Sequence, residues 1–127
     1  MTLLSGWQAG ELQSGGLRIF KGSVAIDLIV IDSTASAADV YANYAKALAQ
    51  NSTGFGATQP TTLQIAGAAA ARGAYNGIFG DIGQIEGEVT TIAHAGKGYI
   101  FDAWGQMGTV RGLLPEVRQM LDTMVLI

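Results

Sequence analysis

The sequence predicts an α+β fold in which an antiparallel β-sheet is flanked by helices. Three observations lead to this prediction: a β-branched run at Val24–Asp32, two segments whose apolar residues recur at helical spacing, and turn signals that join strand segments as hairpins. Short hairpin turns force antiparallel pairing, and the strands and helices do not alternate as they do in parallel sheets. The predicted order is strands, helix, a run of strands, helix.

The first predicted hairpin joins residues 17–20 to Val24–Asp32 through a turn at Lys21 and Gly22. The second of these strands, VAIDLIVID, is apolar on both faces except at Asp27 and Asp32, which indicates a strand covered at least partly on each side. Asp27 is unusual in this setting. We expect it at an edge, where its carboxylate reaches solvent or a backbone donor, and the functional alternative is a pocket carboxylate.

A helix is predicted to follow. Ser36 with Asp39 three residues later resembles a capping box, and the next residues repeat on one helical face that must cover the sheet. That face consists of Ala37, Val40, Tyr41, Tyr44, Ala45 and Leu48. Residues 50–60 have no periodicity and hold two glycines and a proline, so we predict a loop that carries Phe55.

The second half of the chain predicts more strands and a closing helix. Residues 63–65 and 69–75 indicate two short strands separated at Gly67, and the clearest hairpin pairs residues 84–92 with residues 98–104. A short helical turn is expected from Met107, a break at Gly112, and then a main helix with Pro115 in its first turn. One stripe of this helix is apolar and the other, with Glu116, Arg118, Gln119 and Asp122, is expected to face water.

Composition narrows the class of protein. With 127 residues, 49% of them hydrophobic and 13% charged, the chain is expected to fold as one domain with one core. A formal net charge of -3 without a basic patch argues against nucleic acid and anionic membranes as partners. The sequence holds no cysteine and no apolar run of the ~20 residues that a transmembrane helix needs. The low charge favours a mature extracytoplasmic domain of a bacterial protein, either secreted or lipid-anchored, with a cytoplasmic protein as the alternative.

The residue types disfavour the common catalytic chemistries. The single histidine, His94, lies in a predicted hairpin turn, where a solvated side chain is the usual outcome. With one histidine and no cysteine, zinc would have to be bound almost wholly by carboxylates, which suit that metal poorly. The glycines of GIFGDIG lead into a strand and not into a helix N-terminus, which excludes a phosphate loop. No cofactor is therefore predicted, and we expect a protein that is not an enzyme.

Three carboxylates keep one alternative open. Glu86 and Glu88 share a strand face, and one register of the hairpin places Asp102 opposite Glu88. Such a group would bind a hard cation or serve a hydrolase as an acid/base pair. The simpler interpretation is a solvated strand face beside an ordinary aspartate, because a slip of one residue would move Asp102 to the other face.

Two further features point to binding. Tyr99 and Phe101 are expected in the core, whereas Trp104, at the predicted strand end, would be an exposed anchor for a partner. A pocket for a small apolar ligand could also form between the central strand and the helix face of Tyr41 and Tyr44. The sequence does not specify the ligand, the partner or the oligomeric state.

Three stretches taken together resemble the PsbP-like superfamily: GWQAGELQSGGLRIFKG before a buried strand, a helix initiated by Ser36, and GYIFDAWGQ followed by LLPEVRQMLDTM. The resemblance implies an α/β/α sandwich, with an antiparallel sheet between helices, over the whole of residues 1–127. It also implies binding or assembly and not catalysis, and it supplies no catalytic residue. The chain is shorter than the plant photosystem subunit and lacks its lysine-rich character. We therefore expect a non-enzymatic domain that binds a protein or a small ligand through residues 51–60, 78–84 and 104–109.

Overall fold

The computed structural model describes residues 1–12 and 16–126, and it contains eight strands and two α-helices. The strands are β1 (Gln8–Glu11), β2 (Leu17–Lys21), β3 (Val24–Asp32), β4 (Thr53–Ala57), β5 (Thr61–Ile65), β6 (Ala68–Phe79), β7 (Gly83–His94) and β8 (Lys97–Gln106). The helices are α1 (Ala37–Gln50) and α2 (Leu114–Asp122). Short 3₁₀ helices at Gly80–Ile82 and Arg111–Leu113 precede β7 and α2.

The strands form one antiparallel sheet in the order β1-β2-β3-β8-β7-β6-β4, and β5 also pairs with β6. The predicted hairpins are present, and the predicted strands after Gly67 and around Gly96 extend further than expected. Ala66 and Ala95 each adopt a positive φ and each precede a positive-φ glycine, which is the backbone of the tight turns favoured in two-residue hairpins. The predicted α+β class is confirmed.

Each face of the sheet has its own core and its own helix. α1 packs on the face that presents Tyr75, Val89 and Ile100, whereas α2 packs with Ile26 and Phe101 on the other face. Because β8 lies in the middle, its successive residues alternate between the two cores. The result is a helix, sheet, helix sandwich.

Both helices have the predicted first turns, but the break expected at Gly112 is absent, because Gly112 lies within the 3₁₀ helix that leads directly into α2. The Ser36 hydroxyl accepts a hydrogen bond from the Asp39 amide at 3.1 Å, which caps α1. Pro115 lies in the first turn of α2, where its missing N–H leaves no partner unsatisfied. Neither helix, nor any other in the described ranges, is long and apolar enough to cross a membrane.

Other expectations about the fold are wrong. The buried residues form two clusters, one on each face of the sheet, where a single core was expected. The segment predicted as a loop at residues 50–60 contains the edge strand β4. Its two glycines interrupt the run of β-branched and aromatic residues that is typical of a strand. Asp27 does not lie at an edge, because β3 pairs with β2 on one side and with β8 on the other. Its carboxylate is satisfied by side chains from both neighbouring strands, and these contacts belong to the candidate site.

Candidate functional site

The candidate site is a pocket between α1 and the sheet, which we call the Asp102 pocket. It has a volume of about 210 Å³. Five strands and helices contribute to it together with Ile82 of the first 3₁₀ helix, and most of its lining is apolar or aromatic. The lining residues are Asp27, Tyr44, Leu48, Tyr75, Phe79, Ile82, Ile85, Asp102 and Trp104.

Asp102 is the polar centre of this pocket and is 4% exposed. One carboxylate oxygen accepts a hydrogen bond from the Tyr44 hydroxyl at 2.6 Å, and the other accepts one from the Tyr75 hydroxyl at 2.7 Å. Tyr44 belongs to α1 and Tyr75 to β6, so the carboxylate ties the helix to two strands. Charged groups are rarely buried in this way without a cationic partner.

Burial is the main influence on the ionisation of Asp102. Loss of solvation raises the pKa of its carboxyl to about 6, although the hydrogen bonds from Tyr44 and Tyr75 act in the opposite direction. Burial, reinforced by the charge of Asp102, also raises the pKa of both tyrosine hydroxyls well above the ordinary value. The tyrosines therefore remain neutral hydrogen-bond donors at physiological pH.

Asp27 lies directly opposite Asp102 on the neighbouring strand β3. Arg18 holds it with two hydrogen bonds, of 2.6 and 2.9 Å, and the Trp104 indole N–H donates a third at 3.0 Å. The guanidinium carbon of Arg18 also lies 5.3 Å from the centroid of the Trp104 ring. Trp104 is thus half-buried and fixed in orientation, which corrects the expectation of an exposed anchor.

Aromatic side chains support the pocket from the side of β6. Phe55 stacks on Tyr75 with ring centroids 5.8 Å apart, and Phe79 contacts Tyr75 edge-on at 6.2 Å. Phe55 therefore lies behind the pocket wall, as a neighbour of Tyr75, and is not among the lining residues. On the other side of Tyr75, Gly87 leaves the space that the ring occupies, since a Cβ there would lie 2.5 Å from the ring.

The predicted grouping of Glu86, Glu88 and Asp102 is wrong. Asp102 pairs with Val89, and Glu88 pairs with Ala103, so the register differs by one residue from the one considered. A shift of one residue reverses the face of a side chain, and Asp102 lies on the α1 face while the two glutamates lie on the α2 face. Among the described residues, no three His, Asp, Glu or Cys side chains are placed to hold a metal ion.

The two glutamates line a second, larger pocket of about 440 Å³ on the α2 face. Glu88 is buried and forms two hydrogen bonds with Arg118, at 2.6 and 3.1 Å, and Arg72 lies 3.7 Å away. Glu86 accepts a hydrogen bond from the Val110 amide at 2.9 Å. Neither is the solvated carboxylate that the simpler interpretation expected, and both hold the α2 segment to the sheet.

The sequence points to Asp27, Asp102, Trp104 and Tyr44 for separate reasons, and gives no role to Arg18 and Tyr75, which join them. Tyr75 lies in the predicted short strand of residues 69–75, and Arg18 lies in the predicted strand of residues 17–20. A signal existed for Arg18: it lies three residues before Lys21, and Asp27 lies three residues after Val24. A tight turn that pairs Lys21 with Val24 therefore brings Arg18 opposite Asp27, as the structure shows. Tyr75 had no such signal, because its partner is 27 residues away.

Comparison with known proteins supports the fold and leaves the function open. No family model matches the sequence, and no curated protein sequence matches it. The fold is similar to that of LpqN, involved in cell envelope biogenesis of Mycobacterium tuberculosis, with a TM-score of 0.71 and 13% identity over 98% of this chain and 79% of LpqN.

Two further solved structures are similar. The protein of unknown function PA94 from Pseudomonas aeruginosa gives a TM-score of 0.68 and 13% identity over 97% of this chain and 99% of PA94. Cyanobacterial PsbP (CyanoP) from Synechocystis sp. PCC 6803 gives a TM-score of 0.61 and 14% identity over 94% of this chain and 78% of CyanoP. The chain therefore has a PsbP-like fold, as the sequence resemblance implied.

Proposed function

We propose that this PsbP-like chain is a non-enzymatic binding domain that takes a small ligand into the Asp102 pocket. The observation that carries the proposal is the pocket itself, in which apolar and aromatic walls surround one buried carboxylate. Small-molecule sites commonly combine a mostly apolar concavity with a few well-placed polar groups. Here those groups are held in place from four different elements, so the site is formed before a ligand arrives.

The arrangement of the polar groups favours binding over catalysis. Asp27 is held by a bidentate arginine, and Asp102 already accepts hydrogen bonds on both oxygens. His94 is the only histidine of the chain, and it lies five residues along β7 from Val89, the partner of Asp102, which is about 17 Å. Nucleophilic catalysis with a histidine base therefore has no support at this pocket.

The Trp104 side chain allows a direct test of where a ligand binds. The chain has two tryptophans, Trp104 in the pocket and Trp7 in the core on the α2 face. A screen of fragments of different charge by two-dimensional NMR should shift the Trp104 indole resonance and leave that of Trp7 in place. Trp104→Phe assigns the two signals. If fragments bind but shift only resonances away from the pocket, the proposed site is wrong.

A protein partner is the second candidate, and the rim of the pocket favours it. Ile82, which belongs to the first 3₁₀ helix and lines the pocket, is 54% exposed. A partner that placed one side chain in the pocket would also cover this isoleucine. Ile82→Ser should then weaken capture of the partner, and unchanged capture by a folded Ile82→Ser protein would contradict this candidate.

We also propose a location outside the cytoplasm. The low charge of the chain supports it, as does the fold shared with LpqN, a protein involved in cell envelope biogenesis. Fractionation of the native host with an antibody against the domain tests this proposal. Recovery with cytoplasmic markers would contradict it.

A further inference from the structure

The lining of the Asp102 pocket has an imbalance between hydrogen-bond donors and acceptors. Its side-chain donors are the hydroxyls of Tyr44 and Tyr75 and the indole N–H of Trp104. Each of the three already donates its only hydrogen to an aspartate of the pocket. Carboxylate and hydroxyl oxygens accept more than one hydrogen bond, so the lining side chains offer acceptor capacity and no unused donor.

The charges of the pocket are unbalanced in the same sense. Asp27 is neutralised by the bidentate contact with Arg18. Asp102 has no cationic side chain in hydrogen-bond contact and depends on two neutral tyrosine hydroxyls. When both aspartates are ionised, Arg18 balances one of them, and the floor of the pocket carries one excess negative charge.

The walls restrict which cation fits. Phe79 and the rings of Tyr75 and Trp104 surround the acceptors with aromatic surface, and Leu48, Ile82 and Ile85 complete an apolar lining. Aromatic rings attract organic cations, whereas a hard metal ion needs several oxygen ligands. The described residues provide no cluster of three metal-binding side chains. A cation with its own hydrogen-bond donors and an apolar body satisfies every part of this surface.

From these observations we infer that the Asp102 pocket binds a small organic cation, a protonated amine that carries an apolar or aromatic group. This inference rests on the proposed function and specifies its ligand class. The ammonium group would donate hydrogen bonds to the carboxylate of Asp102 and to the hydroxyl oxygens of Tyr44 and Tyr75. The apolar group would lie against Trp104 and Phe79 and point towards Ile82 at the mouth.

Phenethylamine and 2-phenylethanol test the inference, because they have the same size and shape and differ in the ammonium group. Both are titrated into the unmodified protein at about pH 8, above the pKa of Asp102 of about 6, and the Trp104 indole resonance is followed. We expect the amine to bind at least about tenfold more tightly than the alcohol, since a charged donor forms the stronger hydrogen bond with a carboxylate. Phenylacetate, an anion of similar shape, should bind most weakly.

Asp102→Asn identifies the group responsible. It should reduce the preference for the amine to less than about threefold, because the excess charge is removed while the shape is kept. Unchanged preference in a folded Asp102→Asn protein would overturn the role of this carboxylate. The comparison of amine with alcohol uses the unmodified chain, so it stands even if the variant does not fold.

The titrations distinguish an error in the ligand class from an error in the proposed function. If the alcohol or the anion shifts the Trp104 resonance as strongly as the amine, the inferred ligand class is wrong and the pocket remains a binding site. If no fragment of any charge shifts that resonance, the proposed function falls together with the inference.

Discussion

Asp27 and Asp102 lie directly opposite each other on adjacent strands, yet only Asp27 has a cationic partner. Like charges placed opposite each other in a sheet are destabilising. The structure separates their environments: Arg18 and Trp104 surround one carboxylate, and the two tyrosines enclose the other. One aspartate is thereby held as a charged partner of arginine, while the other is kept in a setting that disfavours its charge.

The first prediction concerns the pH dependence of stability. Folding raises the pKa of Asp102 from 3.8 to about 6, so the folded state holds this proton more tightly than the unfolded chain does. Its contribution to stability is fully present below about pH 3.8 and is lost as the pH rises through about 6. A pKa difference of about 2 corresponds to about 3 kcal/mol of unfolding free energy.

Urea denaturation of the wild type and of Asp102→Asn at pH values from about 4 to 8 measures this effect. The wild-type free energy of unfolding should decline relative to that of the variant across this range, because the variant has no carboxyl to ionise. Carboxylates that titrate in both proteins cancel in the difference. If the unfolding free energies of the two proteins changed with pH in parallel, ionisation of the buried Asp102 would not destabilise the folded state.

The second prediction concerns the buried Glu88. Glu88→Gln removes the charge that pairs with Arg118 and lies 3.7 Å from Arg72, one of whose nitrogens is buried without a partner. Removing one member of a buried ion pair leaves the other charge uncompensated. We expect a loss of about 2 to 3 kcal/mol in unfolding free energy. This loss is smaller than that for a fully buried ion pair, because Arg118 can turn towards water.

Asp32→Asn is the control for Glu88, because it breaks an ion pair with Lys97 in which both side chains are well exposed. It should cause no measurable change in the urea midpoint. A loss of less than about 1 kcal/mol for Glu88→Gln would mean that the ion pairs of Glu88 do not stabilise the packing of α2 on the sheet.

The third prediction concerns the space beside Tyr75. An alanine at position 87 would place its Cβ 2.5 Å from the Tyr75 ring, so the ring must leave the position from which its hydroxyl donates to Asp102. We expect Gly87→Ala to cost about 1 to 3 kcal/mol of stability and to weaken binding of phenethylamine. Thermal unfolding and the Trp104 titration measure the two effects.

Gly112→Ala is the matched control, because nothing lies within 4 Å of a Cβ at that position and the backbone does not have a positive φ. It should change stability by no more than about 0.5 kcal/mol. If Gly87→Ala changed stability as little as Gly112→Ala, the close contact with Gly87 would not fix the position of the Tyr75 ring.

Much of the fold was predictable because its signals are local. The cap at Ser36, the helical spacing of α1 and the proline of α2 depend on residues a few positions apart. The strand β4 was missed because TGFGA has glycines where a strand usually has β-branched residues. Its assignment depends on pairing with β6, which no local pattern records.

The site was less predictable because it depends on register. Asp102 was placed opposite Glu88, and an error of one residue was enough to put it on the wrong face of the sheet. The tyrosines that bind it come from α1 and β6, 58 and 27 residues away in the sequence. Sequence reasoning selected the right aspartates for their unusual setting, and only the three-dimensional structure shows their partners.

The pairing of β3 with β8 has a consequence for the order of folding. Trp104 is 77 residues from Asp27 and Lys97 is 65 residues from Asp32, whereas β5 to β8 follow one another through short turns. Closing a long loop carries a greater entropic cost than closing a hairpin and slows the formation of the contacts that depend on it. The C-terminal meander can therefore assemble first. The pocket forms only when the N-terminal hairpin docks on β8, so it exists only in a chain that has completed this long-range pairing.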